Sequence, residues 1–289
     1  KISLLPKPKK QRIWEIDFLR GFCVVLMIFD HLALLLGVFF GPNWFGYDML
    51  GDAFGPKLCR FCAYYALDSQ LRLIGHPIVL FIFFAISGIS CSFSRSNTKR
   101  GLQLAFIALL YTLGSYIAEE LLGIYGTLTT FGVLNFYSVC ILFYAFLCFI
   151  SKNNKIFKMV ASAVIVIGVL LIYHLFTPPE TTPKIFAIFF PPYDIHGNPS
   201  LFYSQANFSP GDLFTIVPYA AFFFFGTFIA PIIYGNKRTH FAFLDHAWHK
   251  PICFIGRHAL WFYIGHVVLL SALLALISFV FITPGDWGI

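Results

Sequence analysis

Asp30 and His31 stand side by side in an apolar stretch that continues to residue 40. One is a carboxylate. The other is the side chain whose proton moves most readily near neutral pH, so the pair has the makings of a general base and its partner. An ionised group near the middle of a bilayer costs about 2.5–3.5 kcal/mol on insertion scales, so such residues face a protein interior or a pathway. Upstream, in RIWEIDFLRGFCVVLMIFDHL, Asp17 and Arg20 sit at the start of the same run. Arg20 and His31 are eleven residues apart, close to three helical turns, which places them on one face roughly 16 Å apart along the axis. Val24 and Met27 share that stripe. Asp30 falls about 100° round the helix, so adjacency in sequence does not bring its carboxylate to the ring.

A second cluster, GRHALWFYIGH, opens with Arg257 and His258 and carries Tyr263 and His266 one to two turns deeper. His266 comes to a depth comparable with His31, which points to a shared cavity. Each group also has a plain structural reading. Asp17 and Arg20 can pair at an interface, and a buried His can simply bond a neighbouring helix. His76, before Pro77, and Asp212, in SPGDLF, mark the expected outer ends of two further spans, and Asp212 stands where a helix N-cap belongs. Cys59 and Cys62 have CxxC spacing; a disulfide is left open, but no second pair completes a zinc set. There is no phosphate loop, nucleophile elbow or dinucleotide fingerprint.

The elements that must position these groups are membrane helices. The chain is 58% hydrophobic and 11% charged over 289 residues, against about 25% charged in a soluble domain, so it cannot cover itself with water-compatible surface. The reading is all-α, a polytopic bundle in one domain covering 1–289, with seven spans at about 13–40, 76–93, 101–118, 131–150, 159–176, 213–234 and 251–282. A cytoplasmic N-terminus places sixteen of the twenty basic residues on the inner side, leaving Lys57, Arg60, Arg72 and Lys184 outside. The net charge of +7 is therefore a topology signal and excludes a nucleic-acid reading. Trp14 and Trp248 fit an inner aromatic belt, Trp44 and Trp287 an outer one. No cleavable signal peptide is evident. Two long extracytoplasmic loops, 41–75 and 177–211, are rich in Gly, Pro and aromatics and are expected to carry recognition. The absence of an internal repeat weakens a transporter reading.

RIWEIDFLRGFCVVLMIFDHL, FFAISGIS, FGVLNFYSVCILFY and GRHALWFYIGH, in this order, resemble motifs of the bacterial heparan-α-glucosaminide N-acetyltransferase-like family, which is related in plan to the family-3 membrane acyltransferases. The resemblance runs from Arg12 to about Leu270. It implies transfer of an acetyl group from cytosolic acetyl-CoA to an extracytoplasmic hydroxyl or amine of a sugar or glycan, in a bacterial plasma membrane. Matched by position, the motif residues are Asp17, Arg20, His31, Asn135, Asp212, Arg257 and His266. One departure stands out: many relatives read Gly-Ile/Val-Leu-His where this chain has Gly132-Val133-Leu134-Asn135. An amide donates and accepts hydrogen bonds but is no base near neutral pH, so either that role falls to His31 or the chain is catalytically silent.

On this reading the catalytic set is His31, Asp30, His266 and Asn135, with His31 as base, Asp30 or a neighbouring-helix carboxylate orienting it, and Asn135 or Tyr263 donating to the oxyanion. Arg20, Arg257, Asp17, Lys99 and Tyr263 are assigned to acetyl-CoA, and His76 and Asp212 to the acceptor. No metal is expected. The partners are the lipid bilayer and the glycan acceptor, and a homo-oligomer is left open. The rival readings are a proton-coupled transporter or flippase, with Asp30, His31 and His266 relaying protons, and a catalytically silent scaffold or sensor.

Overall fold

The structure is a computed structural model that describes residues 13–94, 96–120, 129–152, 154–176, 188–190, 212–235 and 239–281, the side chains of 212, 242, 280 and 281 excepted. Among them, seven helical segments are long and apolar enough to cross a membrane: Trp14–Phe45, Gln70–Ser92, Asn97–Glu120, Val133–Ile150, Lys155–Leu175, Ile216–Ile233 and Ala259–Phe279. Each expected span finds its helix. The chain divides into two compact units, one made of Lys1–Phe83 and Lys237–Ile289, the other of Phe84–Asn236.

The first unit is built on α1 (Trp14–Leu34), which passes through a π-helical turn (Leu35–Phe40) into the short α2 (Gly41–Phe45). α3 (Phe54–Leu67) and the first half of α4 (Gln70–Ser92) follow. Late in the chain come α9 (Lys250–Arg257) and α10 (Ala259–Phe281). α1 and α9 cross at two glycines. A Cβ on Gly21 would overlap the carbonyl oxygen of Ile252, and one on Gly256 would overlap that of Asp17. Only hydrogen at both positions lets the backbones come this close. The π turn is met in the same way, since a Cβ on Gly37 would run into the backbone of Ala63 on α3. At the start of α1, Glu15 Oε1 accepts from the Thr239 hydroxyl and from the backbone N–H groups of His240 (2.6 Å) and Phe241 (2.8 Å), fixing the segment before α9. At its far end Trp44 Nε1 donates to Ser278 Oγ on α10 at 2.8 Å.

The second unit holds the rest of α4, then α5 (Asn97–Glu120), β1 (Thr129–Phe131), α6 (Val133–Ile150), α7 (Lys155–Leu175), β2 (Asp212–Leu213) and α8 (Ile216–Ile233). β1 and β2 pair in parallel, Thr129 against Asp212. Here too α4 and α8 cross at glycines: a Cβ on Gly88 would overlap the carbonyl oxygen of Phe223, and one on Gly226 that of Ala85. Around them Phe84, Phe136 and Phe223 are fully buried. α7 exposes Val160, Val164, Ile167 and Leu171, a stripe at helical spacing suited to lipid, and buries Ser162.

Three expectations need correction. The segment 41–75, expected as a loop, contains α2, α3 and the start of α4. Its prolines fall in first turns, Pro42 in α2 and Pro56 in α3, where the missing N–H costs no hydrogen bond. The last span, expected as one helix over 251–282, is two, broken at His258 (φ −108°, ψ 22°). Asp212 is no N-cap: it lies in β2, and the N-cap of α8 is Thr215. The question left open at Cys59 and Cys62 is answered too: they are buried free thiols one turn apart on α3. Apart from 188–190, the segment 177–211 lies outside the described residues, as does Trp287.

Candidate active site

His31 lies on α1 and His266 on α10, and their rings meet edge to face with centroids 4.9 Å apart. Each ring is locked by its own helix. His31 Nδ1 is 2.9 Å from the Met27 carbonyl oxygen. His266 Nδ1 is 2.7 Å from the carbonyl oxygen of Tyr263 and 3.1 Å from that of Phe262. A carbonyl only accepts, so Nδ1 carries a proton on both rings, and in the neutral form of each ring Nε2 holds the lone pair. His266 is 6% exposed, and its Nε2 is buried with no hydrogen-bond partner. Buried nitrogens without partners are rare, and one at a second imidazole is a candidate for binding or chemistry.

Asp30 does not orient His31, in contrast to the role expected of it. Its carboxylate forms a two-pronged ion pair with Arg72 on α4, Oδ1 at 2.7 Å from Nε and Oδ2 at 3.1 Å from Nη2. The third arm of the guanidinium, Nη1, donates to the Ala66 carbonyl at the end of α3, 2.9 Å away. Tyr65 on α3 adjoins the pair. Burial, and then the Asp30 charge beside it, push its phenol above the usual value. His76, an exposed residue one turn along α4, lies within electrostatic range of Asp30, Arg72 and His31.

Toward the N-terminal end of α1 the glycine crossing brings two arginines together. Arg20 Nη1 lies 3.3 Å from Asp17 Oδ1 and 3.4 Å from the Gly256 carbonyl. Arg257, the next residue and exposed, donates from Nε to the Cys253 carbonyl at 3.1 Å. Below them His249 stacks on Trp14 at 4.3 Å and bridges Asp245 Oδ1 (2.9 Å) and Cys253 Sγ (3.3 Å). The order Cys-His-Asp has the outline of a nucleophile with its base. However, the thiol is buried, and burial, followed by the neighbouring Asp17 charge, raises it above the ordinary value. A buried, protonated thiol staples a helix rather than attacking a substrate.

The remaining assignments scatter. Tyr263 lies with its ring 6.0 Å from that of His266. Asn135 belongs to the second unit and donates to Thr112 Oγ1 at 3.2 Å. Lys99 is exposed in the first turn of α5, also in the second unit. Asp212 pairs its backbone in β2, and its side chain lies outside the described residues. Among the described residues no three His, Cys, Asp or Glu side chains converge as metal ligands.

Sequence reasoning missed Arg72 and Tyr65. A signal for Arg72 was present: it is one of the four basic residues on the wrong side of the charge pattern. Of these, Lys57 pairs with Asp52 at 3.3 Å, and Arg60 holds the turn before α3 through the carbonyls of Met49 and Gly51. Each of the three described exceptions to the positive-inside pattern thus has a structural partner.

A family model described as heparan-alpha-glucosaminide N-acetyltransferase, catalytic, matches residues 58–268. The matched region holds Arg72, His76, Asn135, Asp212, Arg257 and His266, whereas α1 with Asp30 and His31 precedes it. No curated protein and no solved structure is matched by the chain.

Proposed function

The chain belongs to the heparan-alpha-glucosaminide N-acetyltransferase catalytic family, and on that premise we propose that it moves an acetyl group from cytosolic acetyl-CoA to an amine or hydroxyl of a sugar on the far side of the membrane. The coarse frame is a multi-pass membrane protein of an acetyltransferase family. The observation that carries the finer reading is the pair of imidazoles whose Nδ1 protons are committed to backbone carbonyls. Two imidazoles in edge-to-face contact, one of them with a buried and unpartnered Nε2, suit the removal of a proton from a bound nucleophile.

In this mechanism the acceptor N–H or O–H gives its proton to His31 Nε2 as the nitrogen or oxygen attacks the acetyl carbonyl carbon. His266 Nε2 accepts a second hydrogen bond from the acceptor and aims it. The Tyr263 hydroxyl donates to the oxyanion that develops. Collapse of the tetrahedral intermediate breaks the C–S bond. The CoA thiolate takes the proton from the His31 imidazolium, which restores the base. Arg20 and Arg257 hold phosphate oxygens of CoA, because a guanidinium fork matches them, and Asp17 keeps Arg20 in place. His76 faces the acceptor.

The test uses purified full-length protein in lipid nanodiscs with acetyl-labelled acetyl-CoA and glucosamine. Label is expected on the sugar. His31→Ala should lower kcat about 1,000-fold, the scale of a lost general base, while CoA affinity measured by calorimetry stays within about 3-fold. Absence of CoA binding by the wild-type protein would sink the proposal.

A further inference from the structure

Asp30 and Arg72 form the one ion pair among the described residues that ties two of the membrane-spanning helices together. The side chains are 13% and 29% exposed, and every nitrogen of the guanidinium has a partner, two on Asp30 and one on Ala66. Three helices of the first unit, α1, α3 and α4, are thereby joined through one side chain. None of these hydrogen bonds involves His31, which is the next residue along α1. The charged and titratable groups around that imidazole are Asp30 on its own helix, Tyr65 on α3, Arg72 and His76 on α4, and Tyr263 and His266 on α10.

We infer that Arg72 is a positioning residue for acetyl transfer: it compensates the Asp30 charge and fixes the roll of α1, so that His31 faces His266. The inference rests on the reading of His31 as the base. Its physics is a balance of two charges. A lone carboxylate one residue from the ring would draw protons onto the neighbouring imidazoles, and a lone guanidinium would repel them. Paired at 2.7 and 3.1 Å, each charge compensates the other. Removing either member exposes the other in a low-dielectric setting, where a unit charge several ångströms away moves a titration by about one pH unit. The two single variants must then err in opposite directions, which a merely structural role does not predict.

The experiment reads His31 directly. Diethyl pyrocarbonate attacks only unprotonated imidazole, so the pH dependence of its addition, followed by peptide mass spectrometry on the full-length protein in nanodiscs, gives a midpoint for that residue. Arg72→Met should move the midpoint up by about one unit and Asp30→Asn should move it down, while the double variant should return it to within about 0.3 of wild type. Midpoints that stay put, or that move the same way in both single variants, overturn the inference. If Arg72→Met fails to fold, Asp30→Asn and the double variant, which leaves no unpaired charge, still decide it. The acid limb of turnover with glucosamine should follow the midpoints. Should the midpoints move as stated while that limb stays fixed, it is the assignment of His31 as base that fails, and the charge balance stands.

Discussion

The two units solve the same packing problem and put the result to different uses. Each crosses a pair of helices at glycines so tightly that a single methyl group would strike a backbone carbonyl, Gly21 and Gly256 in one, Gly88 and Gly226 in the other. In the second unit the crossing is surrounded by aromatic rings. Phe84 lies 4.8 Å from Phe136 and 5.1 Å from Tyr137, and the polar contribution is a pair of hydroxyls, Thr227 on Ser162 at 2.8 Å. In the first unit the crossing carries Asp17, Arg20 and Arg257, and the same α1 continues to Asp30 and His31. Close backbone approach thus supplies rigidity in both. Among the described residues, only the first unit's crossing carries carboxylate and guanidinium groups, and that is where chemistry that depends on sub-ångström placement belongs.

This contrast predicts a double dissociation. Phe223→Ala removes a fully buried ring and should cost about 3–5 kcal/mol of stability, seen as a large fall in the thermal midpoint of the detergent-solubilised protein. The fraction that remains folded should keep its kcat. His31→Ala should do the reverse, losing about 1,000-fold in kcat with a nearly unchanged midpoint. A large stability loss for His31→Ala would erase the distinction between the units.

The glycines come next in size. Gly256→Ala and Gly226→Ala should each cost about 1–3 kcal/mol, because the added Cβ must push a backbone carbonyl away. Gly256→Ala should also raise the KM for acetyl-CoA, since the displaced segment carries the Gly256 carbonyl that Arg20 contacts and Arg257 itself. Gly226→Ala should leave KM alone. Equal KM values for the two variants would detach the arginines from the donor site.

Thr227→Val is the smaller probe of the second unit. It strands the Ser162 hydroxyl and should cost about 1 kcal/mol, while Thr227→Ser, which keeps the bond, should cost less. Neither should change the pH profile of turnover.

How much of this was legible beforehand follows from the physics of each signal. Span identity is additive, being a sum of apolar residues over about 20 positions, so all seven helices could be read without any tertiary knowledge. The His31 stripe was legible because helical phase is local. Partners are not local. Asp30 was matched with its neighbour His31, yet the carboxylate found a guanidinium 42 positions away. The locked Nδ1 atoms depend on ring rotamers that no spacing encodes. The helices between 41 and 75 were hidden because Pro42 and Pro56 read as breakers, although in a first turn a proline is compatible with the helix it begins. The break at His258 left no mark on the apolar count, since α10 is long enough to span by itself.

The smallest expected effect concerns the thiols of the first unit. Burial raises Cys59 and Cys62 on α3 and Cys253 on α9 above the ordinary thiol value. The native state therefore holds these protons to higher pH than the unfolded chain, whose thiols ionise near about 8.5. Below that value both states bind the protons and stability is unaffected. As pH rises above it the unfolded chain alone gives them up, so stability falls progressively until the raised native values are reached. Replacing Cys59 and Cys62 by Ala should flatten this decline between about pH 8.5 and 10, measured as the thermal midpoint against pH. The same replacement at Cys253 should flatten it as well, because burial and the Asp17 and Asp245 charges together outweigh Arg257 there. A profile that stays just as steep in the Cys59 and Cys62 variant would assign the alkaline loss to lysines or tyrosines instead, and with it would go the view that these buried thiols are structural and protonated.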